Sequence, residues 1–184
     1  MRRRGEGRGG GAAAAARGSG RGERRLRRGG PALRKVLFVC TGNTCRSVLA
    51  HRYAALLAGK EGLPLEFSSA GLAASPDIPQ PPIVAQLLAK EGVPPYTHVP
   101  VPLTAELAAG ADLILGMTRA HKAGIISSFP GEEKKTFTLL EYAGLGSGDI
   151  ADPFGLDDVF YFTIFKAIKS AVTASLERLK KEVQ

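Results

Sequence analysis

The 184-residue chain is 44% hydrophobic, with two cysteines and no tryptophan, enough to bury the core of one domain of ordinary size. Its formal net charge of +8 resides wholly in residues 1–30, where ten arginines stand against two glutamates among Gly/Ala runs, while the rest of the chain is balanced. No run of eighteen apolar residues, no hydrophobic signal core and too few cysteines for a disulfide framework lead to the expectation of no membrane span, no secretory leader and a reducing cytoplasm.

Residues 1–33 are too polar and too Gly-rich to fold, and are expected to be a disordered Arg/Gly/Ala-rich tail ahead of a domain over 34–184. Three readings of the tail stay open: a solvated extension, an arm for nucleic acid or another acidic surface, and an organelle transit peptide. Its single serine and missing amphipathic period speak against the third.

The first element is the buried-strand run Val36-Leu37-Phe38-Val39. It leads directly into Cys40-Thr41-Gly42-Asn43-Thr44-Cys45-Arg46-Ser47 and then into a helix over Val48 to Ala58. A loop at such a junction is where backbone N–H groups converge on an anion. The spacing puts the Cys40 sulfur at the bottom of a cup walled by the next five residues. Gly42 and Asn43 tolerate positive φ, which lets successive N–H groups turn inward. Arg46 closes the ring with a planar fork suited to two phosphate oxygens. A thiol beside that guanidinium and a helix N-terminus should be a thiolate at neutral pH. Ser47 can cap the helix or donate its hydroxyl to the sulfur. The segment reads as a phosphate cradle, Thr41 to Arg46, set against a sulfur nucleophile. A bare Cys-x5-Arg arises by chance; eight consecutive positions between strand and helix make the reading specific.

Leu65 to Ser69 reads as a second strand, with Ala70-Gly71 as the turn leaving it. Pro76 to Pro82 is a connection that opens a helix near Pro82, carried by Ile83, Val84, Leu87 and Leu88 as far as Gly92. Val93 to Pro102 has four prolines and is expected to be extended loop. Thr104 caps a short helix through Ala109, Ala111 to Met117 is a buried strand, and Thr118 caps a helix over about 119–128. Lys135 to Phe137 is a weak fourth strand, followed by a short helix over Leu139 to Ala143 and a loop from Gly144 to Leu156. The last helix, Asp157 to Val183, shows an apolar stripe of Phe160, Ile164, Ala167, Ile168, Ala171, Leu176 and Leu179. Strands alternating with helices predict an α/β fold: a single doubly wound domain with a four-stranded parallel sheet, binding its ligand beyond the strands' carboxyl ends.

Four ordered stretches resemble the low-molecular-weight protein phosphatase family: Val39 to Ser47, Ser69-Ala70-Gly71, Ala111 to Thr118, and Asp152-Pro153-Phe154-Gly155. The likeness spans residues 35 to 183. It implies that Cys40 attacks phosphorus, Arg46 binds the phosphoryl oxygens, Asp152 protonates the leaving group, Asn43 holds the loop's shape and Ser47 supports the thiolate. Without the family pattern, Asp152 would be an aspartate opening an Asp-Pro turn, no better placed than Asp157 or Asp158. A thiolate nucleophile divides hydrolysis into two displacements through a phosphocysteine, with no cofactor and no metal. Val48 and His51 depart from the family's usual proline and glutamate; both lie beyond the loop. His51, His98 and His121 show no ligand spacing for a metal.

Thr44 bears on substrate. Phosphotyrosine-directed members of the family have a bulky aliphatic residue there, whereas threonine resembles the bacterial protein-arginine phosphatases, its hydroxyl a partner for a guanidinium N–H. Gly155 leaves Phe154 as the only aromatic wall, in the same direction. The expectation is a phosphatase of phosphorylated proteins that prefers phosphoarginine, with phosphotyrosine as the alternative. More remote are an arsenate reductase, which would need relay cysteines beyond Cys40 and Cys45, and a nucleic-acid-binding protein using the basic tail. Cys45 is either a peroxide-driven disulfide partner for Cys40 or a small packing residue.

Overall fold

Strand β1 (Arg34–Cys40) is buried from Val36 onward, and its side chains alternate between two cores. Val36, Phe38 and Cys40 enter one, Leu37 and Val39 the other. Burial on both faces is why the segment has no polar alternation. The computed structural model describes residues 34–183, so the segment expected to be disordered lies outside the described residues.

β2 (Leu65–Gly71), β3 (Leu113–Gly116) and β4 (Thr136–Thr138) complete an all-parallel sheet in the order β2-β1-β3-β4. The register brings strand ends together, Cys40 beside Gly71 and Val39 beside Gly116. Among the described residues six α-helices connect and cover the strands: α1 (Arg46–Glu61), α2 (Pro82–Lys90), α3 (Ala105–Gly110), α4 (Arg119–Ser128), α5 (Leu139–Tyr142) and α6 (Asp158–Val183). Residues of α1, α2, α5 and α6 build the core on one face, while α3 and α4 contribute Ala108 and Ile125 on the other. The domain is doubly wound, as the alternation of elements implied.

Thr104 and Thr118 cap α3 and α4 as expected, accepting from Leu107 and His121 N–H. Thr138 and Glu141 form a capping box on α5 that was not foreseen, and neither was the 3₁₀ turn Pro130–Lys135. Ala70 and Gly71 belong to β2 rather than to a turn. Gly71 N–H donates to the Val101 carbonyl, and Leu103 N–H to the Gly71 carbonyl, so the proline-rich segment runs beside the end of β2 and pairs with it through one parallel bridge at Pro102.

In α6 the buried face runs through Tyr161, Ile164, Phe165, Ile168, Ala171, Val172, Leu176 and Leu179. Phe160 and Ala167, assigned to the apolar stripe, point outward, because the face is rotated by one residue at its start. Asp158–Glu182 is long and apolar enough to cross a membrane by length and composition, which contiguous counting misses because lysines interrupt the run. In the fold it packs against α1, α2 and α5.

Candidate active site

The chain turns from Cys40, at the end of the central strand, through Thr41 to Cys45 into α1. The turn depends on Asn43, whose φ of 53° is the only non-glycine value in the left-handed region among the described residues. Gly42, expected to share that conformation, does not adopt it. Asparagine suits the position because its short polar side chain bonds locally. Here Asn43 Oδ1 accepts from Val101 N–H at 2.9 Å, and Nδ2 donates to Ser47 Oγ at 3.0 Å. The Asn43 carbonyl accepts from His98 Nε2 at 2.6 Å. The proline-rich segment therefore clamps the loop from outside.

Ser47 Oγ lies 3.0 Å from Cys40 Sγ. Because Ser47 already accepts from Asn43, its own hydrogen is free to face the sulfur. It does not cap α1: Cys45 takes the cap position, with no side-chain bond. Among the described residues, the N–H groups of Gly42, Asn43, Thr44 and Cys45 donate to no backbone carbonyl. Four successive donors at a helix start are the raw material of an anion site.

Arg46 is 4% exposed. Its Nη1 donates to the Ile150 carbonyl at 3.2 Å and its Nη2 to Asp152 Oδ2 at 2.5 Å. Phe154 N–H donates to Asp152 Oδ1 at 3.2 Å, so one ion pair and one turn draw the Asp152 loop across the cysteine. The fork expected to serve phosphoryl oxygens is thus shared with Ile150 and Asp152, and a guanidinium's remaining N–H donors stay available.

Cys40, Thr41, Gly42, Thr44, Cys45, Arg46, Asp152 and Phe154 line one pocket of about 210 Å³, with Asn43 and Ser47 behind its wall. Ala73 and Ile78 also line it. They sit in the connection after β2, where no periodicity singles them out. A larger groove of about 420 Å³ lies between α2 and α6 and contains none of these residues.

His121, read from sequence only as a helix-start residue, is buried beside the loop. Its Nε2 is 2.9 Å from Thr41 Oγ1 and its Nδ1 2.9 Å from Thr118 Oγ1. Burial, then the nearby Arg46 cation, lowers its pKa to about 4. Burial likewise takes His51 to about 4, helped by Arg52 and His98. Burial pushes the Cys45 thiol far up, and Cys40 adds to this, so the Cys45 thiol is protonated at neutral pH. Among the described residues no group of three His, Cys, Asp or Glu side chains could hold a metal ion.

Over residues 35–184 the chain matches the family described as low molecular weight phosphotyrosine protein phosphatase. A protein-arginine-phosphatase of Bacillus subtilis is 39% identical over 149 residues, covering 81% of this chain and 96% of that protein. Another from Geobacillus stearothermophilus is 36% identical over 150 residues, covering 82% and 96%. Among solved structures, YwlE arginine phosphatase in a cysteine-to-serine mutant with a phosphorylated active-site serine matches with a TM-score of 0.76. That pair is 38% identical over 80% of this chain and 96% of the other. With the loop, the sheet order and the sequence all in agreement, the chain belongs to the low molecular weight phosphotyrosine protein phosphatase family.

Proposed function

We propose that this protein is a phosphoprotein phosphatase that works through a phosphocysteine on Cys40 and prefers phosphoarginine. The observation that carries the reading is Cys40 Sγ, 3.0 Å from a hydroxyl that is itself fixed by Asn43, in a pocket that also holds Arg46 and Asp152. In the first step the Cys40 thiolate attacks phosphorus. The S–P bond forms as the P–N bond of the phosphoguanidine breaks, and the leaving nitrogen takes a proton from Asp152. In the second, Asp152 takes a proton from the water whose oxygen attacks phosphorus. The S–P bond breaks, phosphate departs and the thiolate returns. Arg46 and the loop amides hold the phosphoryl oxygens through both displacements, where preorganised donors matter most. The phosphorylated serine of the solved cysteine-to-serine arginine phosphatase supports a covalent intermediate at this position.

The phosphoarginine preference rests on Thr44. Its side chain lines the pocket, and its hydroxyl has no hydrogen-bond partner among the described residues, so it is available to a substrate N–H. The two relatives named as protein-arginine-phosphatases favour the same choice. Phosphotyrosine is the second reading, favoured by the family's description. Two free buried cysteines suit a reducing cytoplasm. The deciding experiment compares kcat/KM on phosphoarginine and phosphotyrosine peptides for the unmutated protein and for Thr44→Ile. The unmutated protein should favour phosphoarginine and Thr44→Ile should lose that preference by about tenfold or more. Equal or better turnover of phosphotyrosine by the unmutated protein would overturn the assignment.

A further inference from the structure

We propose that His121 is a positioning residue that compels the Thr41 side chain to donate a hydrogen bond to the substrate's phosphoryl group. The inference rests on the phosphatase reading and adds a donor to it that the loop amides and Arg46 do not supply. The argument begins at Thr118, whose hydroxyl is engaged twice. As the cap of α4 it accepts from His121 N–H at 3.1 Å, and it lies 2.9 Å from His121 Nδ1. A hydroxyl has one hydrogen, and His121 Nδ1 is the only acceptor the Thr118 hydroxyl meets among the described residues. Nδ1 as the acceptor gives that hydrogen its partner and puts the ring hydrogen on Nε2.

Nε2–H then donates to Thr41 Oγ1 at 2.9 Å. With a lone pair taken from behind, Thr41 keeps its own hydrogen for the pocket it lines alongside Cys40 and Arg46. His121 is 6% exposed, and a Cβ on Gly116 would come within 3.1 Å of His121 Cβ, so the end of β3 packs closely against this residue. Burial keeps that ring neutral at pH 7, which the acceptor role of Nδ1 requires. The result is a hydroxyl–imidazole–hydroxyl relay from the start of α4 to the second residue of the loop.

Two measurements test the relay, both without turnover. Nitrogen-15 NMR of His121 in the unmutated protein should show hydrogen on Nε2 and none on Nδ1 at pH 7; hydrogen on Nδ1 would overturn the assignment. Orthophosphate binding, followed by calorimetry, should weaken about tenfold in Thr41→Val and recover in Thr41→Ser. His121→Leu should also weaken it in the native background, yet add nothing once Thr41 is valine. His121→Gln, which can still donate from near the Nε2 position, should keep most of the affinity. Equal losses from His121→Leu in both backgrounds would mean that the ring acts only as packing, and would sink the proposal. If His121→Leu does not fold, the ring nitrogens and the Thr41 pair decide. Failure of the unmutated protein to hydrolyse any phosphopeptide would count against the phosphatase reading alone, since neither the nitrogen signals nor orthophosphate affinity depends on it.

Discussion

The wall of the pocket made by Cys40 to Ser47 and the wall made by Asp152 to Gly155 meet at the Arg46–Asp152 ion pair, but they are held in different ways. On the first, Asn43, Thr44, Cys45, Arg46 and Ser47 are all buried, and Asn43 alone is tied to His98, Val101 and Ser47. On the second, the Asp152 side chain is 48% exposed and Phe154 is 65% exposed. Bond making at phosphorus needs atoms held to a fraction of an ångström, which burial and cross-bracing supply. Recognition of a side chain on a protein surface needs room to adjust, and an exposed loop tethered at one ion pair provides it.

The contrast predicts that lesions on the buried wall remove chemistry, stability or both, and that lesions on the exposed wall remove chemistry alone. Cys40→Ser is the largest: phosphate release should fall by about 10⁴-fold or more while the melting temperature holds, because serine fills nearly the same space. Asp152→Asn comes next, with kcat lowered by about 10²–10⁴-fold and the melting temperature again little changed. A large stability loss in that variant would break the comparison, since it would make the exposed wall part of the frame. Gly71→Ala tests the frame directly. A Cβ there would stand 2.5 Å from the Thr41 carbonyl oxygen and 2.9 Å from Asn43 N, so the loop must shift. The expected cost is about 1–3 kcal/mol, read as a fall in melting temperature together with lost phosphate affinity.

The smallest effect comes from pH. His51 and His121 have folded pKa values of about 4 against an ordinary 6.5, so the unfolded chain binds protons first. Their stabilising contribution is complete above pH 6.5 and is lost progressively as pH falls toward 4. Thermal melts should therefore drop as the pH is lowered from 7 to 5. Substituting His121 by Gln should flatten that slope; an unchanged slope would exclude its titration as the cause.

Much of the architecture was legible because its signals are local. The apolar run before Cys40, the Thr104 and Thr118 caps and the Pro82 helix start each declare themselves within a few residues, and α4 and the order of strands follow. The loop was legible because all its chemistry is contiguous. What was hidden depends on distant partners. His98 and Val101 lie in a proline-rich stretch that reads as featureless, and only folding brings them to Asn43. His121 is 80 residues from the Thr41 it bonds. His98 and His121 hold the loop one hydrogen bond at a time, a role that their spacing in the sequence does not reveal. Ser47 was given two roles from sequence; with Cys45 in the cap position, the structure keeps the bond to sulfur.

β1 has a paired strand on each side, and its interior side chains enter both cores. Amides in such a central strand exchange with solvent only when the whole domain opens. The sulfur is thus expected to sit in the slowest-exchanging part of the molecule, whereas Phe154, 65% exposed, should be freer to move. As the protein is warmed, discrimination between substrates should fade before the capacity for P–S bond formation does.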